Sequence, residues 1–365
     1  MTASTQSHIH HFHLPYLQWF QSRGWQVHVA CGAVTQPCPF CDRLIALPFE
    51  KSMGSVRNFV AAVKLRRLIR RERYDLLITH TALAAFFTRL SLLGLRKRPK
   101  VVCVVHGYLF DQNTPAFKRW LLAAAERLTA GKTDLLLTMN QWDYRFAKQN
   151  RLGSKVENIP GIGVDFSRFC PVAPETVRML RSSRGIPQDA CLLLYAAEFS
   201  ARKNQETLLR AMKLLPDRLH LALAGNGGML EEMKQLAETL GISERIHFLG
   251  YVNQMPDWYG AADMAVSTSR SEGLPFNIME AMAMKLPVVA TAVKGHEDLI
   301  IPGETGLLFP FGDSEACAAQ IRYLLDHTDH AMAMGAAART AVKSYDLTCV
   351  LPQVTRAYLR VLEDG

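Results

Sequence analysis

The stretch "CLLLYAAEFSARKNQETLLRAMKLLPDRLHLALAGNG", Cys191–Gly227, places two short leucine-rich runs of strand character on either side of a helical pattern. A strand, a crossover helix and a second strand at this spacing form a βαβ unit, and such a unit requires parallel strands. The alternation extends from this point to both ends of the chain. In the first half the strand candidates are "WQVHVA", "DLLITH", "KVVCVVH", "DLLLTMN" and "KVENIP"; in the second they continue with "RIHFLG", "DMAVSTS", "LPVVAT" and "TGLLFPF". Each half is expected to form one open, doubly wound α/β sheet. Gly and Pro cluster in "NIPGIGVDFSRFCPVAPE", which marks the join. The expected domains are therefore 1–170 and 171–349, with the last helix, 350–365, free to pack back on the first. Two such domains facing across a cleft make the carboxyl ends of the strands the default ligand site.

The length of 365 residues, with 49% apolar and 21% charged, suits two globular domains and argues against disorder. No apolar run of eighteen residues, signal-peptide pattern or lipidation motif is present, so a cytoplasmic protein is expected. The eight cysteines lack the spacing of a disulfide framework and read as reduced thiols. "CPFC", Cys38–Cys41, has metal-type spacing but no second pair to complete a site. The charge is divided unevenly. Residues 1–180 hold 25 Lys+Arg against 11 Asp+Glu, whereas the remainder holds 17 against 22. A basic first half suits an anionic membrane surface, nucleic acid or a phosphorylated ligand. No recognised nucleic-acid module accompanies that charge, which disfavours the second of these.

The chemistry concentrates in "SRSEGLPFNIMEAMAMKLPVVAT", Ser269–Thr291. Pro275 suits the first position of a helix, and free N–H groups at a helix start favour a phosphate or sugar hydroxyls. Glu272 precedes that helix and Glu280 lies inside it. A carboxylate accepts from vicinal hydroxyls in bidentate fashion, so Glu280 suits a ribose diol and Glu272 a sugar ring. Both can also be read as ordinary surface charges, but the apolar neighbours Ile278, Met279, Ala281 and Met282 weaken that reading for Glu280.

These residues, with "HHFHLPYLQWFQSRGWQVHVA", "VVHGYLF", "NIPGIGVDFSRF" and "ARKNQETLLRAM", resemble glycosyltransferase family 4, retaining enzymes of the GT-B fold. The resemblance covers essentially the whole chain and is strongest to bacterial enzymes of surface polysaccharide synthesis. It implies two Rossmann-like domains facing across a cleft, with Glu280 on the nucleotide ribose and Glu272 beside the transferred sugar. Gly273, Leu274, Pro275, Phe276 and Asn277 would contact sugar and diphosphate, with Lys203, Arg202, Tyr251 and Val252 completing the donor side. His106 would lie near the reacting sugar, and Ser7, His8 and His80 on the acceptor side. A preorganised cation at the diphosphate stabilises the leaving group, so neither a metal nor another cofactor is expected.

Two departures from the family pattern stand out. Glu198 occupies a place where an arginine is usual, and Arg202 is a candidate substitute. The chain also begins "MTASTQSHIHHFHLPYL", already at the loop that follows the family's first strand. An absent central strand would leave its neighbours about 10 Å apart, twice the usual spacing, with two unpaired inner edges. An upstream start codon is the corresponding expectation.

"SVRNFVAAVKLRRLIRRERYD", Ser55–Asp75, reads as an amphipathic helix with Val56, Phe59, Val60, Val63 and Leu68 inward and Arg66, Arg67, Arg70, Arg71 and Arg73 outward. Such a basic face, with Phe110, Phe117 and Trp120 as insertion groups, predicts peripheral association with the inner face of the cytoplasmic membrane. The expected reaction is retaining transfer of a hexose or N-acetylhexosamine from a nucleotide-sugar, with a UDP-sugar favoured. The expected acceptor is a saccharide linked to an undecaprenyl-pyrophosphate-type lipid. The rivals are a sugar-nucleotide epimerase and an inactive partner subunit.

Overall fold

A computed structural model describes residues 1–50 and 52–363. The chain divides into two compact units, Met1–Gly163 with Thr348–Gly365, and Val164–Leu347. The first holds β1 (Thr2–Ala3), β2 (His28–Cys31), β3 (Arg43–Ala46), β4 (Leu76–His80), β5 (Lys100–Val104), β6 (Leu135–Thr138) and β7 (Lys155–Asn158). The second holds β8 (Cys191–Ala196), β9 (Leu219–Ala224), β10 (Ile246–Gly250), β11 (Met264–Ser267), β12 (Val288–Thr291) and β13 (Leu307–Phe309).

The first sheet has the order β3-β2-β1-β4-β5-β6-β7 and the second β10-β9-β8-β11-β12-β13. Pairing is parallel throughout. Parallel strands must be joined by crossovers, and the helices that supply them cover the faces, which is why these strands are continuous apolar runs rather than alternating ones. The second unit's core is built on this basis: Leu193, Leu221, Val266 and Val289 from four adjacent strands meet Leu208, Leu209, Met212 and Ile321 from covering helices.

Every strand candidate read from the sequence forms a strand, and two more appear. One is β3, "RLIA", whose four residues are all partly or well exposed, so it carries no buried apolar run to announce it. The other corrects the expectation of an absent first strand. Thr2–Ala3 forms β1 in the central position, with Thr2 opposite both Ala30 of β2 and Thr79 of β4. Next to it is a hollow of about 170 Å³ lined by Met1, His28, Ala30, Tyr74, Leu77 and Ile78. The Met1 ammonium donates to the His28 carbonyl at 2.7 Å.

The Val56–Glu72 helix faces otherwise than its hydrophobicity suggested. Ala61, Ala62, Leu65, Leu68 and Ile69 are its buried side, at spacings that put them on one face. Val56, Phe59, Val60 and Val63 are exposed, at 75%, 50%, 44% and 49%. Arg66 folds back to donate to the Ser91 and Leu93 carbonyls. Phe110 is likewise corrected. It is buried in the first unit's core and stacks on Tyr108, while Phe117 and Trp120 are exposed and stack on each other.

Candidate active site

The loop after β8 and the loop before the Phe276–Ala283 helix meet at Glu272. Lys203 Nζ donates to Glu272 Oε1 at 2.5 Å, and Arg202 Nη1 donates to Oε2 at 3.0 Å and to the Ser271 carbonyl at 3.1 Å. Burial alone would raise the Glu272 carboxyl, but Lys203, Arg202 and His296 outweigh it and hold the pKa at about 2. The group is therefore ionised at any working pH.

The cation-bearing loop is fixed through its backbone. The Lys203 carbonyl accepts from Tyr195 Oη at 2.8 Å and Thr268 Oγ1 at 3.1 Å, and Thr268 Oγ1 also reaches the Asn204 carbonyl. Because Tyr195 lies in β8 and Thr268 just beyond β11, two adjacent strands register the loop that presents Lys203. On Glu272's other side stands Gly295, with φ +84°. A Cβ there would lie 2.9 Å from the Cβ of Glu272 and from the Gly273 carbonyl oxygen, so only glycine admits this approach.

Glu280 lies in a different environment. Its Oε2 accepts from Tyr259 Oη at 3.0 Å, and the same hydroxyl donates to the Asn277 carbonyl at 3.1 Å. Burial pushes the Glu280 carboxyl up to about 7, against the smaller opposing pulls of Tyr259 and Arg168. One carboxylate is thus locked in its charged form, while the other titrates near neutrality. Leu274 and Pro275 are buried, and Gly273, Phe276 and Asn277 are half-buried around them. Pro275 has extended backbone and caps the helix, which starts at Phe276.

Tyr251 and Val252 follow β10, at the sheet's edge, and Tyr251 is 62% exposed. They connect to the centre through the loop carbonyls. Gly225 N–H donates to the Gly250 carbonyl at 2.7 Å, and Ala197 N–H donates to that of Ala224 at 2.9 Å. Glu198 is exposed, and its backbone carbonyl accepts from Gln205. Arg202 turns toward Glu272.

The first unit gathers His8, His80 and His106 with a residue the sequence reading passed over, His13. His8 lies in the Gln6–Phe12 helix and His13 caps its end; His80 ends β4, and His106 follows β5. Ser7 stands apart, exposed, with its hydroxyl 3.2 Å from His11 Nδ1. Tyr259 and His296 were missed as well. His296 is buried and bridges two strand ends, with Nε2 3.1 Å from Ser267 Oγ and Nδ1 2.8 Å from the Thr291 carbonyl oxygen. Nothing local marks either residue, because Tyr259 acts on Glu280 from another helix and His296 acts between strands.

The chain is similar to known proteins along most of its length. Residues 16–168 match the model described as "Glycosyltransferase Family 4" and residues 177–341 that described as "Glycosyl transferases group 1". The chain is 36% identical over 328 residues to EpsD of Bacillus subtilis strain 168, covering 88% of this chain and 86% of that one. It is 24% identical, over 73% of this chain and 70% of the other, to an Escherichia coli enzyme named UDP-Gal:alpha-D-GlcNAc-diphosphoundecaprenol alpha-1,3-galactosyltransferase. Among solved structures, Anabaena HepE in complex with UDP and glucose superposes with a TM-score of 0.78 at 18% identity, covering 98% of this chain and 97% of that one. Sucrose-phosphate synthase from Thermosynechococcus elongatus superposes with a TM-score of 0.80 at 21% identity, covering 96% and 92%. The chain belongs to the family 4 glycosyltransferases, has the GT-B fold, and is a glycosyltransferase.

Proposed function

We propose that the protein transfers a hexose or N-acetylhexosamine, with retention, from a nucleotide-sugar to a lipid-linked saccharide during surface polysaccharide synthesis. The observation that carries the donor assignment is the pair of cations held on Glu272, followed in the next helix by the Glu280 carboxyl held by Tyr259. Lys203 and Arg202 supply fixed positive charge for a diphosphate leaving group, so no metal is needed there. Glu280 as carboxylate accepts two hydroxyls of a ribose, and Glu272 faces the sugar together with Gly273–Asn277. HepE and the galactosyltransferase, as named, involve UDP or a UDP-sugar, which favours a UDP donor here. The galactosyltransferase's diphosphoundecaprenol substrate supports an undecaprenyl-pyrophosphate-type acceptor. The backbone at His106 is assigned to a sugar hydroxyl, with the segments that carry Ser7, His8 and His80 on the acceptor side; the departing phosphate oxygen takes the acceptor proton.

No helix among the described residues is long and apolar enough to cross a membrane. The exposed Val56, Phe59, Val60 and Val63, next to the exposed Arg67 and Arg70, form an apolar stripe edged with positive charge. Phe117 and Trp120 are exposed on another helix of the same unit. This surface supports peripheral docking on an anionic membrane, where a lipid-linked acceptor resides.

The test is turnover of a panel of UDP- and GDP-sugars with lipid-linked acceptors, by the natural protein and by Lys203→Ala and Glu280→Ala. Transfer of one sugar, reduced at least a hundredfold in either variant, is expected. Donor consumption without acceptor would replace this reading with an epimerase. Donor binding with no turnover under any condition would replace it with an inactive partner subunit.

A further inference from the structure

Four imidazoles from three separate segments converge in the first unit: His8, His13, His80 and His106. One nitrogen from each lies within 4.8 Å of the other three. His80 Nδ1 is 3.1 Å from His106 Nε2, and His13 Nε2 is 3.1 Å from His8 Nε2. The His13 and His80 rings stack at 3.7 Å between centroids, and His8 meets His106 edge-on at 4.6 Å. From these contacts we propose that the four histidines bind a divalent transition metal of the zinc type.

Tetrahedral zinc with bonds of about 2.0–2.1 Å to nitrogen places its ligand atoms about 3.3 Å apart. Two of the nitrogen pairs already stand close to that distance, and the others, within 4.8 Å, need to close by at most about 1.5 Å on that scale. His13 and His80 are fully buried, while His8 and His106 are partly exposed and give an ion its way in.

Four nitrogens and no carboxylate suit zinc, cobalt, nickel or copper; magnesium and calcium prefer oxygen ligands.

The proposal does not rest on the transfer reaction, because the readout is metal itself. Untagged, chelator-treated full-length protein is titrated with cobalt(II) and then zinc. The expected result is one cobalt per chain with the intense visible absorption of a tetrahedral site, displaced by one equivalent of zinc. His8→Ala and His106→Ala, the two less buried positions, should each weaken binding at least tenfold, and His10→Ala should leave it unchanged. A rise in wild-type Tm with zinc provides a second reading that needs no variant. Absence of tetrahedral cobalt in the folded wild-type protein overturns the proposal. Retention of full affinity in the His8→Ala/His106→Ala double variant overturns it as well.

Discussion

Glu272 and Glu280 lie eight positions apart in sequence, yet their environments drive them to opposite ends of the carboxylate range. Since the folded state holds Glu280 near 7 against 4.5 for the free group, the unfolded chain releases its proton first as pH rises. A raised carboxyl of this kind does not penalise folding in acid; the penalty grows between about pH 4.5 and 7 and is complete above that. For a shift of this size, discounted for partial exposure, the penalty is on the order of 1–3 kcal/mol. Glu280→Gln mimics the protonated form and can still accept from Tyr259. It should therefore raise the unfolding free energy at pH 8 by that amount and change it little at pH 4.5. Denaturant titrations at the two pH values decide the matter, and an equal gain at both would refute the assignment. Glu272, Glu280 and Lys203 could be singled out in the sequence because the two glutamates stand out from an apolar run and the family resemblance points to Lys203. Tyr259 could not, since which helical residue reaches Glu280 depends on how two helices pack.

At the level of elements, strand positions were legible almost throughout, because buried parallel strands carry dense apolar runs. The orientation of the Val56–Glu72 helix was not. Its largest side chains suggested an inward face, whereas Ala61, Ala62 and Leu65 let it approach its neighbours closely and left the bulkier valines and Phe59 outside. An exposed stripe of this kind bordered by arginines is the part of the docking proposal that can be tested by itself. Arg67→Glu/Arg70→Glu should lower partition onto vesicles containing anionic lipid by at least tenfold, given roughly 1 kcal/mol per basic residue at such a surface. Phe117→Ser/Trp120→Ser should weaken binding with less dependence on salt. Sedimentation with vesicles at low and high ionic strength separates the two contributions, and binding that ignores both pairs of substitutions would remove the membrane from the account.

On the scale of the whole molecule, the charge asymmetry read from the sequence falls largely along the division into units, the basic share lying before Val164. The return of Thr348–Glu363 to the first unit was legible only as an alternative, since a helix's apolar face does not say which sheet it covers. Arg360 pairs with Glu157 of β7 at 2.7 Å, and Tyr358 lies 6.2 Å from Phe20 between ring centroids. The division into units also sets an order of assembly: because the segments that make up the first unit stand on both sides of the second in sequence, the first cannot close until all of the second has been synthesised.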